Sequence, residues 1–321
     1  MIVTVTMNAA LDRILTVPNF QRGHRHRASE KLSLAGGKGI TVARALKRLG
    51  VPVVATGLAG GRNGRRILEE LASEAILNDF VPIADESRTS TAVADPTSGT
   101  YTEIIEWGPK VEPAELEILL EKLDYLSRGA EMVVLAGSLP RGMDEDFYAE
   151  AIRDLNRRGV PTVLDSEGEP LRLGLEAEPF LVSPNQLEAE AVVGQEFHEE
   201  EDFVAALDHL ADVGARNVLI THEGGCYALL REERGQPRRY RASAPRLEPV
   251  STVGAGAALL AGFIAARLED ASSEDALRKA VAAGAASTLE VGPACFEPLE
   301  LGRLIPDVRV DELERVAAES S

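Results

Sequence analysis

The sequence predicts an α/β fold, a doubly wound parallel sheet with helices on both faces and a small projecting β-sheet. Three observations carry that prediction. Short apolar runs rich in Val, Ile and Thr alternate with longer amphipathic patterns along the 321 residues. Ala, Gly, Leu and Val dominate while aromatic residues make up only 4%, which suits helices packed closely on a sheet. Several of the apolar runs end in Gly, Ser, Asp or Asn. Strand, helix, strand at this spacing requires parallel crossovers, and open parallel sheets gather their ligand sites at the C-terminal ends of the strands.

In order, "IVTVT" (2–6), "VPVVATGLAG" (51–60), "EMVVLAGSLP" (131–140), "VPTVLD" (160–165), "PFLVSPN" (179–185) and "NVLIT" (217–221) read as buried strands. Between them, "KGITVARALKRLG", "GRRILEELASEA", "PAELEILLEKLDYLS", "DEDFYAEAIRDLNRRG" and "EDFVAALDHLADVG" carry the apolar spacing of helices. Residues 12–33 and 88–107 break the alternation with polar, β-prone sequence, and Pro96-Thr97-Ser98-Gly99 supplies a hairpin turn. These two segments are expected to form the projecting sheet, serving as a lid or a dimer surface. One domain is expected over 1–310, with a charged peripheral tail at 311–321.

Charge and composition bound the function. A formal net charge of −18 excludes general nucleic-acid binding, which needs a basic face. Any anionic substrate must therefore meet a local cluster of Arg and Lys. Two cysteines make neither a disulfide framework nor a metal site. The N-terminus reads as a strand instead of a signal peptide, and no apolar run reaches the ~18 residues that a membrane span needs. The expectation is a soluble, cytoplasmic protein with no membrane partner.

Four stretches could carry chemistry. In "AGGKGITVARAL" (35–46), glycines lead through Lys38 into a helix whose first turn could hold an anion. It is not a P-loop, and a plain strand-to-helix turn with a solvated lysine explains it equally well. In "GHRHRA" (23–28), Arg25 and Arg27 share one face of a β-like segment, as phosphate recognition or as a solvated edge. His24 and His26 lack the partners of a metal site. In "SPNQLEAE" (183–190), Asn185 and Glu188 stand three apart at a helix start, suited to hydrated magnesium or to a simple N-cap. In "VSTVGAGAALLAGF" (250–263), Gly254 and Gly256 open an apolar helix and aim its first amides at one point. The later helix from Ser272 or Ser273 carries small residues at 280 and 282–286, where a flat group or a second helix could lie.

Together and in this order, "GGKG", Asn-x-x-Glu and the late Gly-Ala-Gly resemble the phosphofructokinase-B family of ribokinase-like sugar kinases, over about residues 1–310. Lys38 after the glycine pair, and Ser251 in "VSTVGAG", are most similar to the 1-phosphofructokinase and tagatose-6-phosphate kinase branch. The resemblance implies ATP and Mg2+ as cofactors and a phosphosugar substrate, while the small projecting sheet has an apolar face that it cannot cover alone, so a homodimer through the lid is expected. It places Asp12, Gly36, Gly37, Lys38, Thr41 and Ser138 at the sugar, with Arg25, Arg27 and Arg88 gripping the phosphate it already carries. Asn185 and Glu188 would organise magnesium, indirectly through water. Ser183, Asn185, Thr221, Gly224 and Ala283 would meet the nucleotide, and Gly254, Ala255 and Gly256 would form the anion hole.

The departures fall on the same sites. The resemblance implies a base, an aspartate, where Ala257 stands, a lysine at Ser183 and an asparagine at Thr41; "THEGGCYALL" (221–230) departs from the usual nucleotide loop. The expectation is a kinase that turns fructose 1-phosphate into fructose 1,6-bisphosphate, impaired by Ala257. The alternative is a non-catalytic sensor of sugar phosphate or nucleotide.

Overall fold

Ile2–Thr6 form strand β1, and all five residues are buried because parallel neighbours flank both of its edges. The computed structural model describes residues 1–232 and 236–314. From β1 the chain continues through β2 (Ala10–Thr16), β3 (Glu30–Gly36), α1 (Lys38–Arg48), β4 (Val53–Gly60), α2 (Gly61–Ser73) and β5 (Leu77–Ile83). Next come β6 (Arg88–Asp95), β7 (Thr100–Ile105), α3 (Pro113–Ser127), β8 (Met132–Ala136), α4 (Phe147–Arg157), β9 (Thr162–Asp165) and α5 (Gly168–Leu175). The rest is β10 (Leu181–Val182), α6 (Gln186–Val193), α7 (Glu200–Val213), β11 (Val218–His222), β12 (Gly225–Leu230), β13 (Arg238–Ser243), α8 (Ala255–Leu268), α9 (Ser273–Ser287), α10 (Pro298–Leu304) and β14 (Arg309–Leu313).

Ten strands form the main sheet in the order β14-β13-β12-β11-β10-β9-β8-β1-β4-β5. It is parallel from β5 to β11 and antiparallel from β11 to β14. Two apolar cores, one on each face, contain the predicted helices, so the doubly wound reading holds. Four strands form the projecting sheet, β3-β2-β6-β7, built from the two segments that broke the alternation.

The boundaries need correction in three places. The strand expected over 179–185 shortens to Leu181–Val182, because Pro184 cannot donate to the ladder and the chain turns into α6. The tail is not wholly peripheral: Asp311, Glu312 and Leu313 belong to β14, which pairs with β13 at the sheet edge, and 315–321 lie outside the described residues. Arg25 and Arg27 sit on no strand; residues 17–29 form an exposed turn-rich loop that returns from β2 to β3. That loop is tied to the β6–β7 hairpin by Asp95, whose carboxylate accepts from the amides of Asn19 and Phe20 (2.9 and 3.0 Å), from the Thr97 amide and from Ser98 Oγ (both 2.9 Å). Burial pushes the Asp95 carboxyl up, but these hydrogen bonds overcome it and bring it down to about 2.

The small-residue stripe on α9 is chiefly helix packing. A methyl at Gly262 of α8 would fall 2.8 Å from the Lys279 carbonyl oxygen and 2.9 Å from both Ala280 Cα and Ala283 Cβ. Ala283 is therefore fully buried against α8 and does not face the nucleotide side, a correction to its expected role. Gly262→Ala is expected to destabilise the fold by about 1–3 kcal/mol through overpacking, read as a lower urea midpoint with an unchanged slope.

Candidate active site

The C-terminal ends of β1, β8, β9 and β10 and the base of the projecting sheet surround a cavity of about 460 Å3. A second cavity, about 540 Å3, lies beside it along α9 and β11. Asn185, Thr221 and Gly256 line both, so the start of α8 stands at the seam. Of the predicted residues, Asp12, Gly37, Lys38, Thr41, Arg88, Ser138, Ser183, Glu188, Gly254 and Ala257 line the first cavity. Gly224 and Ala255 line the second. Arg25 and Arg27 line neither, because their loop runs out from the lid and leaves them exposed.

Glycines set the walls. Gly37 has φ 109° and caps α1, and a side chain there would meet Thr6 Cγ2 at 2.6 Å. Gly36 lies behind the Asp12 carboxylate, which a Cβ at that position would overlap. Thr41 turns its hydroxyl back to the Gly37 carbonyl at 3.1 Å, so it braces the turn. Gly254, at φ 81°, caps α8, and a Cβ there would meet Ala294 N at 2.6 Å. α8 has no capping side chain and no acid in its first turn, so its first amides lack a side-chain acceptor. A Cβ on Gly256 would meet only Thr221 Oγ1, at 3.7 Å; the protein does not demand glycine there, and its bare Cα keeps the seam open.

Asn185 caps α6, accepting from Glu188 N at 2.9 Å, while Glu188 Oε2 accepts from Asn185 N at 2.8 Å. The capping reading is thus realised, and it aims the other carboxylate oxygen inward. Glu188 Oε1 and Asp165 Oδ1 accept from Lys38 Nζ at 2.7 and 2.9 Å. The Lys38 ammonium, which lines the cavity, is thus held between two carboxylates that are each nearly buried. Burial works against the Lys38 charge, but Asp165 and Glu188 outweigh it and hold the pKa above its ordinary value. Burial raises Glu188, with Lys38 opposing.

Sequence reading missed Asp165, Asn8, Glu103 and Glu167, which also line the cavity. Asp165 carried a usable signal as the last residue of an apolar strand run. Asn8 Nδ2 donates to Ser138 Oγ at 3.1 Å, and its Oδ1 is buried without a partner among the described residues. Tyr148 and Ser166 hydroxyls both donate to the Gly137 carbonyl (3.0 and 3.1 Å), fixing the turn that presents Ser138.

These features suit transfer of a charged group between two ligands, and similarity to known proteins narrows it further. The pfkB family carbohydrate kinase description matches residues 3–298. The chain belongs to the PfkB family of carbohydrate kinases. It is 32% identical over 315 residues to the 1-phosphofructokinases of Borreliella burgdorferi (98% of this chain, 99% of that one) and Bacillus subtilis (98% and 100%). The solved phosphofructokinase-2 of Escherichia coli superposes with a TM-score of 0.88 at 28% identity, covering 95% of this chain and 98% of that one. The PfkB assignment makes the protein an ATP-using phosphosugar kinase with a ribokinase-like fold.

Asp12 gives the site a pH signature. Burial and Glu103 push its carboxyl up and Arg88 pulls it down, leaving it at about 6 against an ordinary 3.8. The folded chain therefore holds this proton more tightly than the unfolded one, and stability is lost as pH rises from about 4 to about 6. Asp12→Asn is expected to raise the thermal midpoint above about pH 7, with the gain vanishing below about pH 4, in melts followed by circular dichroism.

Proposed function

We propose that the protein phosphorylates fructose 1-phosphate at its free primary hydroxyl to give fructose 1,6-bisphosphate, slowly in this sequence because Ala257 stands where a base would act. The observation that carries this reading is the pair of cavities joined at the uncapped start of α8. The sugar phosphate takes the first cavity, with Asp12, Asn8 and Ser138 at its hydroxyls and Arg88 at its phosphate. ATP takes the second, its adenine near Val281, Gly284 and Ala285 and its terminal phosphate at the seam. The sugar oxygen attacks the γ-phosphorus, the bond to the ADP oxygen breaks, and the hydroxyl proton leaves to water. Gly254, Ala255 and Gly256 hold the transferred group with backbone amides.

Magnesium fits this site through water. Among the described residues no group of three or more His, Cys, Asp or Glu could hold a metal alone. Asn185 and Glu188 supply hard oxygen donors beside the phosphates, and magnesium keeps several waters. When bound, the ion neutralises phosphate charge. No helix among the described residues is long and apolar enough to cross a membrane.

Ala257→Asp is expected to raise turnover at least ~100-fold with little change in sugar-phosphate affinity, in a coupled ADP-release assay. Ala257 also favours a second reading, a non-catalytic sensor. ATP binding with no turnover on fructose 1-phosphate, fructose 6-phosphate or tagatose 6-phosphate in the aspartate form would establish that one instead.

The lid also supports a homodimer. Every residue of β7 is exposed, with Ile104 at 63%, and Trp107 just beyond it is 82% exposed. A four-stranded sheet with such a face gains by burying it against a second copy. Ile104→Asp with Trp107→Glu is expected to halve the molar mass seen by light scattering at micromolar concentration.

A further inference from the structure

Another cavity, about 600 Å3, opens where β2 meets the start of α2, lined by Arg13, Gly61, Arg62, Asn63, Arg65 and Glu86. None of these residues lines the two cavities described above. Arg13 follows Asp12 on β2, and successive side chains of a strand leave opposite faces, so this cavity backs onto the first without sharing a residue. Asn63 Nδ2 donates to the Ser87 carbonyl at 2.8 Å and to Thr89 Oγ1 at 3.2 Å, on either side of Arg88. The helix start itself is filled, since the Asn63 amide donates to Glu86 Oε1. The guanidiniums are not. Among the described residues, no side-chain hydrogen bond or ion pair is made by Arg13, Arg62 or Arg65, and Arg13 Nε is buried without an acceptor.

The chain has 52 Asp and Glu against 34 Lys and Arg, so carboxylate partners are plentiful. Arg44, Arg172, Arg239 and Arg241 all have them. Three guanidiniums gathered without one repel each other, and a buried N–H with no acceptor is costly. We propose that this cavity binds a small phosphate-bearing anion through Arg13, Arg62 and Arg65, apart from the phosphates handled in the kinase reaction. Three guanidiniums against the single carboxylate of Glu86 leave an excess of two positive charges. A phosphate monoester carries close to two negative charges at neutral pH, and its oxygens match the guanidinium fork. A carboxylate would leave one of those charges unmet. The volume has room for a small metabolite beyond its phosphate.

Calorimetry with inorganic phosphate tests this on the full chain, with saturating ADP, Mg2+ and fructose 1-phosphate filling the first two cavities. Phosphate is expected to bind the unmodified protein at one further site per chain. Arg62→Gln with Arg65→Gln, both exposed and outside the core, is expected to weaken it at least ~10-fold and to leave fructose 1-phosphate affinity unchanged. Arg13→Gln should weaken phosphate likewise, while Arg153→Gln, an exposed arginine on α4, should change nothing. No phosphate binding by the unmodified protein, binding that the Arg62 and Arg65 changes leave intact, or an equal loss in Arg153→Gln would each overturn the proposal and spare the kinase reading. Failure of ADP and fructose 1-phosphate to bind would count against the kinase reading alone, because none of the three arginines lines the cavities assigned to those ligands.

Discussion

One ammonium joins three crossovers of the sheet. Lys38 opens α1 after β3, Asp165 closes β9, and Glu188 lies in the first turn of α6 after β10. The Asp165 and Glu188 side chains are only 9% and 10% exposed, and the ammonium is the opposite charge that both of them meet there. Removing one partner of a buried ion pair leaves uncompensated charge, which costs far more than the pair contributes. The same Glu188 carboxylate caps α6 through Asn185. The floor of the cavity, the N-terminus of α6 and the seam between the cavities therefore share one electrostatic tie.

Around that tie, the walls are backbone. Gly37 and Gly254 place two helix starts at the cavity in conformations with positive φ, while Gly36 allows the Asp12 carboxylate to lie against the chain. Helix stability does not explain the bare start of α8, since an acid in the first turn would favour the helix dipole and Ala257 offers none. What remains is a helix start at the cavity with no side-chain cap and no acid in its first turn, whose third position carries only a methyl group.

Periodicity made the crossover helices legible, and "PAELEILLEKLDYLS" matches α3 from end to end. The projecting sheet was legible because its polar β-prone segments interrupt that rhythm. The antiparallel strands β12 and β13 and the edge strand β14 were not, since local sequence says nothing of which strand will lie alongside. Site residues divide the same way. Lys38, Asn185, Glu188 and Gly254 belong to local turn and cap motifs that can be read in one window. Asp165, Asn8 and Glu103 reach the cavity from separate elements, and only tertiary assembly gives them partners. Arg25 and Arg27 differ from these: alternate spacing promised a strand face, but they sit on no strand and line neither cavity.

The position of β1 bears on how the chain is made. Its residues are made before those of every other strand described, yet in the finished sheet they lie between β4 and β8. The first partner, Val53–Gly60, follows soon, but the second, Met132–Ala136, is added only later. At synthesis rates of ~5–20 residues per second, the strand waits on the order of ten seconds with one edge open. During that interval its apolar side chains and unpaired amides are a ready template for a neighbouring chain. Nascent protein is therefore most exposed to aggregation, and most in need of a chaperone, before β8 has emerged.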